Sequence, residues 1–187
     1  MDPIFHDSDD AMEKNLSTYP LIVKVYKQRY DKMATPQYKQ ELVRYAEQVL
    51  HDPIVHLDWR QLLRWEHKHF EYTKEELPKQ RAEMPIDVLV QKKGRCGEFA
   101  LLYNGLLLAN GYRSRIVLDC SALKDKSKNA AGDHVWVEIL VKDIWIHVDP
   151  TERKINRPDM YAHAWNKDVN LVYAVSEKIE VTKAYRV

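Results

Sequence analysis

From Tyr38 to Leu50 the apolar residues Leu42, Ala46, Val49 and Leu50 recur at helical spacing, and Asp52-Pro53 ends the run. A second helix is predicted from Asp58, whose carboxylate suits an N-cap, with Trp59, Leu62, Leu63, Glu66 and Phe70 along one line. That line is mostly apolar and reads as a core face rather than a ligand site. A third helix begins near Cys96 and carries Phe99, Leu102, Tyr103, Leu106 and Leu107 inward, until Asn110-Gly111 stops it. Beyond that glycine the pattern turns to strands. Tyr112–Asp119, His134–Val141 and Ile144–Asp149 come first, followed by Asn170–Val175 and Lys178–Tyr185, all rich in β-branched and aromatic residues. Between the first two strands, Cys120 to Asp133 reads as an exposed loop. Helices followed by an antiparallel sheet predict an α+β fold. A polar, flexible arm over residues 1–20 and a single domain over 21–187 complete the expected organisation.

Composition narrows the function classes. Twenty-nine Lys and Arg residues face twenty-eight Asp and Glu, a formal net charge of +1, so no broad basic field for nucleic acid or anionic lipid is expected. The first residues lack the basic and apolar regions of a secretory signal. No apolar run approaches the roughly 18 residues a membrane-spanning helix needs. Two cysteines, Cys96 and Cys120, are too few for a disulfide framework or a Cys-rich zinc site. His67 and His69 stand two apart on a predicted helix and point to different sides, so they do not suggest a metal pair. These features favour a soluble, intracellular protein with no cofactor, no metal, and neither nucleic acid nor membrane as partner.

Cys96 opens its helix directly after Arg95 and Gly94. A thiol there feels the positive end of the helix dipole and unpaired backbone N–H groups, both of which favour the thiolate. The segment from His134 to Asp149 reads as a hairpin turning at Lys142-Asp143. In a two-residue turn Val141 pairs with Ile144, which sets Trp136 opposite Asp149. His134 and Asp149 are then diagonal neighbours on one face, with Cα atoms roughly 7–8 Å apart, within reach of a side-chain hydrogen bond. A slip of one residue would put them on opposite faces. Lys142-Asp143 is not a strong sequence signal for the turn this needs. Each residue alone has a plain reading: a small buried Cys96, a hydrogen-bonded His134, an Asp149 that starts a turn. Together they have the logic of a triad, with Cys96 as nucleophile, His134 as base and Asp149 as its orienter.

The runs GRCGEFA, GYRSRIV, DHVWVEI and IWIHVDPTE resemble the core of the transglutaminase-like superfamily, and within it the cytosolic peptide:N-glycanases. Leu62-Leu63-Arg64-Trp65 with Phe70, and the stretch from Arg157 to Arg186, extend the resemblance over residues 58–187. It implies a papain-like cysteine hydrolase core in the cytoplasm, acting on a glycopeptide or unfolded glycoprotein. Cys96 would attack the side-chain amide of a glycosylated asparagine, expel a glycosylamine, and leave a thioester for water to open. Trp136, Glu98 and Glu152 match positions around the cleft of such enzymes, and Trp65 and Tyr72 are further candidates to orient the glycosylated chain. Trp136 also has a plain reading as an exposed sheet aromatic, Glu152 as a surface carboxylate and Glu98 as a first-turn acid. The chain departs from the resemblance between Tyr72 and Pro85, where the two CxxC pairs that hold zinc in such enzymes are missing. It departs again at Phe99, at the DPTE turn, and in the longer Cys120–Asp133 loop. Alternative readings are a cysteine protease or glutamine acyltransferase of the same fold, and an inactive binding scaffold.

Overall fold

A computed structural model of the chain describes residues 19–120, 134–156 and 171–183. Most of the expected N-terminal arm, the Cys120–Asp133 loop after its first residue, and the segment 157–170 lie outside them. Five helices lead: α1 (Leu21–Ala34), α2 (Pro36–Gln48), α3 (Trp59–His69), α4 (Pro85–Gln91) and α5 (Cys96–Ala109). Two short strands, β1 (Glu71–Tyr72) and β2 (Lys93–Gly94), pair in parallel just before α5. The main strands are β3 (Ser114–Asp119), β4 (His134–Val141), β5 (Ile144–Asp149), β6 (Lys154–Ile155), β7 (Leu171–Val175) and β8 (Ile179–Lys183). They form one antiparallel sheet in the order β6-β5-β4-β3-β7-β8. The α+β expectation holds.

Local chemistry explains the boundaries. Thr35 caps α2 through its side-chain oxygen, which accepts from Tyr38 N, and Pro36 follows at the first helical position, where its missing N–H costs nothing. Asp58 caps α3 by accepting from Arg60 N and Gln61 N, both at 2.8 Å, while Gln61 Oε1 accepts from Asp58 N at 2.7 Å. This reciprocal box satisfies donors that the first turn leaves open. Gly111, at φ +79°, ends α5 in the left-handed conformation. The β4–β5 register is the one expected, with Val141 opposite Ile144 and Val137 opposite Val148. Lys142 and Asp143 both adopt positive φ, 49° and 64°, the geometry of a type I′ turn despite side chains that do not favour it.

The helices pack on one face of the sheet. Ile116 and Leu118 of β3, Val135, Val137 and Ile139 of β4, and Val148 of β5 join one cluster with the apolar faces of all five helices. At its centre, every residue of α5 from Glu98 to Leu108 is buried. That explains its apolar composition: a helix wrapped on all sides has no face to give to water. Tyr103 anchors it by donating to Trp59 O at 2.8 Å, and Asn104 accepts from the Ser114 hydroxyl at 2.8 Å.

The opposite face of the sheet is also buried. Val117, Trp136, Val172 and Ala174 form a second apolar cluster. Beside it Arg115 Nε donates to Glu138 Oε2 at 2.5 Å and Nη1 donates to Glu180 Oε2 at 2.6 Å. The Arg115 guanidinium also lies 4.0 Å from the Trp145 ring centroid. Three strands are thereby tied by charge. Close packing also governs α4 against α5: a Cβ at Gly105 would meet Pro85 Cγ at 2.5 Å. Gly105→Val is expected to lower stability by about 1–3 kcal/mol, the usual cost of overfilling a packed core. Urea unfolding of the two proteins checks this, and an unchanged midpoint would contradict the packing.

Candidate active site

Cys96 occupies the first residue of α5, where sequence reasoning put it. The first intrahelical bond runs from Phe99 N to Arg95 O, so the N–H groups of Cys96, Gly97 and Glu98 precede it and direct positive charge toward the thiol. The start of this helix is held firmly. Glu98, only 4% exposed, accepts from Arg95 N at 2.9 Å and from Arg81 Nε at 2.7 Å. One carboxylate thus closes the helix start and neutralises a guanidinium. Neither Cys96 nor Cys120 is in a disulfide. Cys120 is buried, whereas Cys96 is partly accessible.

His134 and Asp149 meet as the register requires. His134 Nε2 donates to Asp149 Oδ2 at 2.8 Å, and Cys96 lies close enough to the same imidazole to act on its charge. With Nε2 engaged by the carboxylate, Nδ1 is the nitrogen left for sulfur. Burial is the largest single influence on His134 and acts to lower its pKa. The hydrogen bonds and charges of Asp149 and Cys96 together outweigh it and push the imidazole up to about 10. The proton therefore resides on His134 at neutral pH, and the resting arrangement is an imidazolium set against the sulfur, rather than a neutral base awaiting a proton.

Asp149 is itself tightly held. It is 1% exposed, and its Oδ1 accepts from Thr151 N at 2.9 Å and Glu152 N at 3.3 Å. The turn that supplies these donors is clamped by α3, because His67 Nε2 donates to Pro150 O at 2.5 Å. Burial lowers the pKa of His67, which favours the neutral ring, and that form still carries one N–H for the bond. Glu66, one residue earlier, is fully buried. Burial first, and the Asp149 charge second, raise its pKa well above the ordinary value. The sequence puts Glu66 on a core face and gives His67 no metal partner, but ties neither of them to the Asp149 turn. The signal that would have found them is their odd polarity on an otherwise apolar helix line.

A cavity of about 450 Å³ opens at the thiol, lined by Tyr26, Arg29, Tyr72, Arg81, Arg95, Cys96, Gly97, Glu98 and Val135 among others. Tyr72, half exposed on β1, stands at its edge. Two of the other predicted substrate-contacting residues, Trp136 and Trp65, require correction. Trp136 is fully buried, stacked on His134 with ring centroids 6.0 Å apart; both faces of the sheet are covered, so it supports the imidazole instead of meeting a ligand. Trp65 is 5% exposed, donates from Nε1 to Asp52 O at 3.0 Å and packs against His69, which makes it a core residue. Glu98 serves the helix start through its side chain. Glu152 acts through its backbone N–H on Asp149, and its exposed carboxylate accepts from Lys154 at 3.2 Å. Among the described residues no group of three or more His, Cys, Asp or Glu is placed to hold a metal ion. The stretch between Tyr72 and Pro85 contains no cysteine, so the donor set of a thiolate zinc site is absent there. No helix among the described residues is long and apolar enough to cross a membrane.

A helix-borne cysteine facing a hairpin-borne histidine and aspartate is the arrangement the sequence resemblance called for. The family model described as the Transglutaminase-like superfamily matches residues 29–150, and the chain belongs to that superfamily. Its curated relatives include proteins named peptide-N(4)-(N-acetyl-beta-glucosaminyl)asparagine amidase. The one from Arabidopsis thaliana is 36% identical over 105 residues, covering 54% of this chain and 13% of the plant protein. That of Drosophila melanogaster is 37% identical over 91 residues, covering 48% and 13%. That of Saccharomyces cerevisiae is 31% identical over 105 residues, covering 54% and 26%. The chain spans well under two thirds of the length of each of these relatives.

Two measurements test this geometry. Asp149→Asn removes the strongest influence raising His134, so the imidazole should titrate well below 10 by NMR; an unchanged titration would contradict the hydrogen-bond account. Because the folded pKa lies above the ordinary value, the stability that His134 contributes is fully present below pH ~6.5 and is lost as pH rises through about 10. Trp136→Ala is expected to destabilise the fold by about 3–5 kcal/mol, as for other buried aromatics. Thermal or urea unfolding reads this directly, and an unchanged stability would show that Trp136 is not a packing residue.

Proposed function

We propose that this chain is a cysteine amidase that removes N-linked glycans from asparagine side chains, with Cys96 as nucleophile, His134 as proton carrier and Asp149 as its orienter. The observation that carries the reading is the His134–Asp149 hydrogen bond set beside Cys96, which opens a buried helix. The relatives named as asparagine amidases support the substrate class.

The residues imply the following sequence of steps. The sulfur of Cys96 adds to the carbonyl carbon of the glycosylated asparagine side chain. The proton on His134 passes to the departing nitrogen, so the glycan leaves as a glycosylamine and a thioester remains on Cys96. His134, now neutral, takes a proton from water as that water attacks the thioester. The product side chain is aspartate. Asp149 keeps the imidazole oriented and stabilises its charged form throughout, without taking the proton itself. The cavity beside Cys96 accommodates the region around the scissile amide, with Tyr72 at its edge.

Mass spectrometry of a denatured glycopeptide after incubation tests the proposal. The expected result is conversion of the glycosylated Asn to Asp with release of the intact glycan, lost on Cys96→Ala with the fold retained. A cut backbone would mark a protease instead, and transfer to an added amine would mark an acyltransferase. No change in the peptide, with Cys96 still reactive, would overturn the glycanase reading.

A further inference from the structure

Tyr26 has no part in the steps above, yet its hydroxyl stands next to the nucleophile. It lies on α1, ahead of the residues 29–150 that the family model matches. The residue is 5% exposed and lines the cavity beside Cys96 and Gly97. Its position is tightly fixed: a Cβ added to Gly97 would come within 2.6 Å of the Tyr26 hydroxyl oxygen. The phenol therefore rests on the backbone of the residue that follows the nucleophile, and only glycine leaves room for it. Arg29, three residues along the same helix, places its guanidinium carbon 5.5 Å from the Tyr26 ring centroid.

A mostly buried hydroxyl ordinarily has a hydrogen-bond partner. Among the described residues the hydroxyl of Tyr26 has none, and its residue faces the cavity. Burial, and after it the charge on Cys96, raise the phenol far above its ordinary pKa, so it remains a donor and does not compete for the proton held by His134. Two independent features thus converge on one point: the N–H groups at the start of α5 and an unpartnered O–H from α1.

We propose that the Tyr26 hydroxyl, with the N–H groups opening α5, forms the oxyanion site for acyl transfer at Cys96. As sulfur adds to the carbonyl carbon, a C–S bond forms and the π pair of the carbonyl moves onto oxygen. Tyr26 donates a hydrogen bond to that oxygen and keeps its proton. Collapse restores the C=O bond, breaks the C–N bond, and the nitrogen departs with the proton from His134. Such a donor is fixed in place before the charge develops, which is what makes it effective. The assignment rests on Cys96 acting as an acyl-accepting nucleophile, and not on the identity of the amide.

The test compares wild type with Tyr26→Phe, which removes one oxygen atom from the site. Three readouts are used: glycopeptide deglycosylation, acylation of Cys96 by p-nitrophenyl acetate, and alkylation of Cys96 by iodoacetamide. Loss of one oxyanion donor is expected to slow acylation and kcat about 100-fold, with KM little changed. Alkylation forms no oxyanion and should keep its wild-type rate. Gly97→Ala, whose methyl meets the hydroxyl, should slow acylation as well. Wild-type acylation rates in Tyr26→Phe would overturn the proposal, and wild-type rates in Gly97→Ala would count against it. An equal fall in alkylation would also overturn it, since Tyr26 would then act on the thiol and not on the oxyanion. If the ester arm shows the expected loss while wild type leaves the glycopeptide intact, Tyr26 stands and the glycanase reading falls.

Discussion

Burial of α5 on every side is the constraint from which the site follows. A helix with eleven consecutive buried residues cannot slide or rotate without opening its whole surround, so its first residue is fixed against the sheet. That residue is Cys96. The sheet meets it with the β4–β5 hairpin, whose pairing sets His134 and Asp149 side by side. The helix end supplies oriented N–H groups, and the hairpin supplies an ion pair of opposite polarity. Each half gains from the other: Cys96 and Asp149 together hold a proton on an imidazole that burial alone would strip of it.

The supports of this arrangement are mainly polar groups inside the protein, and each has a definite task. Glu98 closes the helix start and holds Arg81. His67 ties the Pro150 carbonyl to α3, while the turn beyond it gives two N–H donors to Asp149. Glu66 is buried close enough to Asp149 that the carboxylate's charge adds to burial in raising its pKa. On the far face, Arg115 couples β3 to β4 and β8 through two carboxylates. Buried ions of this kind are costly to leave half-paired.

Much of this was legible in the residues. The Asp58 cap, the Gly111 stop, the strands from His134 to Asp149 and their register all follow from local rules that the structure obeys. Helix α1 was missed, because its start lacks a capping side chain and its buried tyrosines dilute the apolar pattern. Helix α4, only seven residues long, is too short to declare a period. The misplaced aromatics share one cause. Alternation along a strand says which side chains share a face, but not whether water or protein lies against it. Trp136 was therefore given to the substrate when it belongs to the interior. Trp65 went the same way, since a residue type that suits a cleft suits a buried hydrogen bond equally well. What placed Tyr26 near Cys96 was tertiary packing between α1 and α5, which no spacing along the chain encodes.

The two-residue turn at Lys142-Asp143 has an evolutionary corollary. Side chains on paired strands alternate, so the facing of His134 and Asp149 depends on whether the count of residues between them, and the way they are shared between strand and turn, keeps the same parity. Gene-level insertions at the tip can be absorbed by a longer loop that leaves both ladders untouched. A single codon added within either strand must instead be expelled as a bulge, or it inverts one partner. Lineages descending from such a chain are therefore free to vary the hairpin's tip while its two arms stay fixed in length. Insertion patterns across them should record that asymmetry.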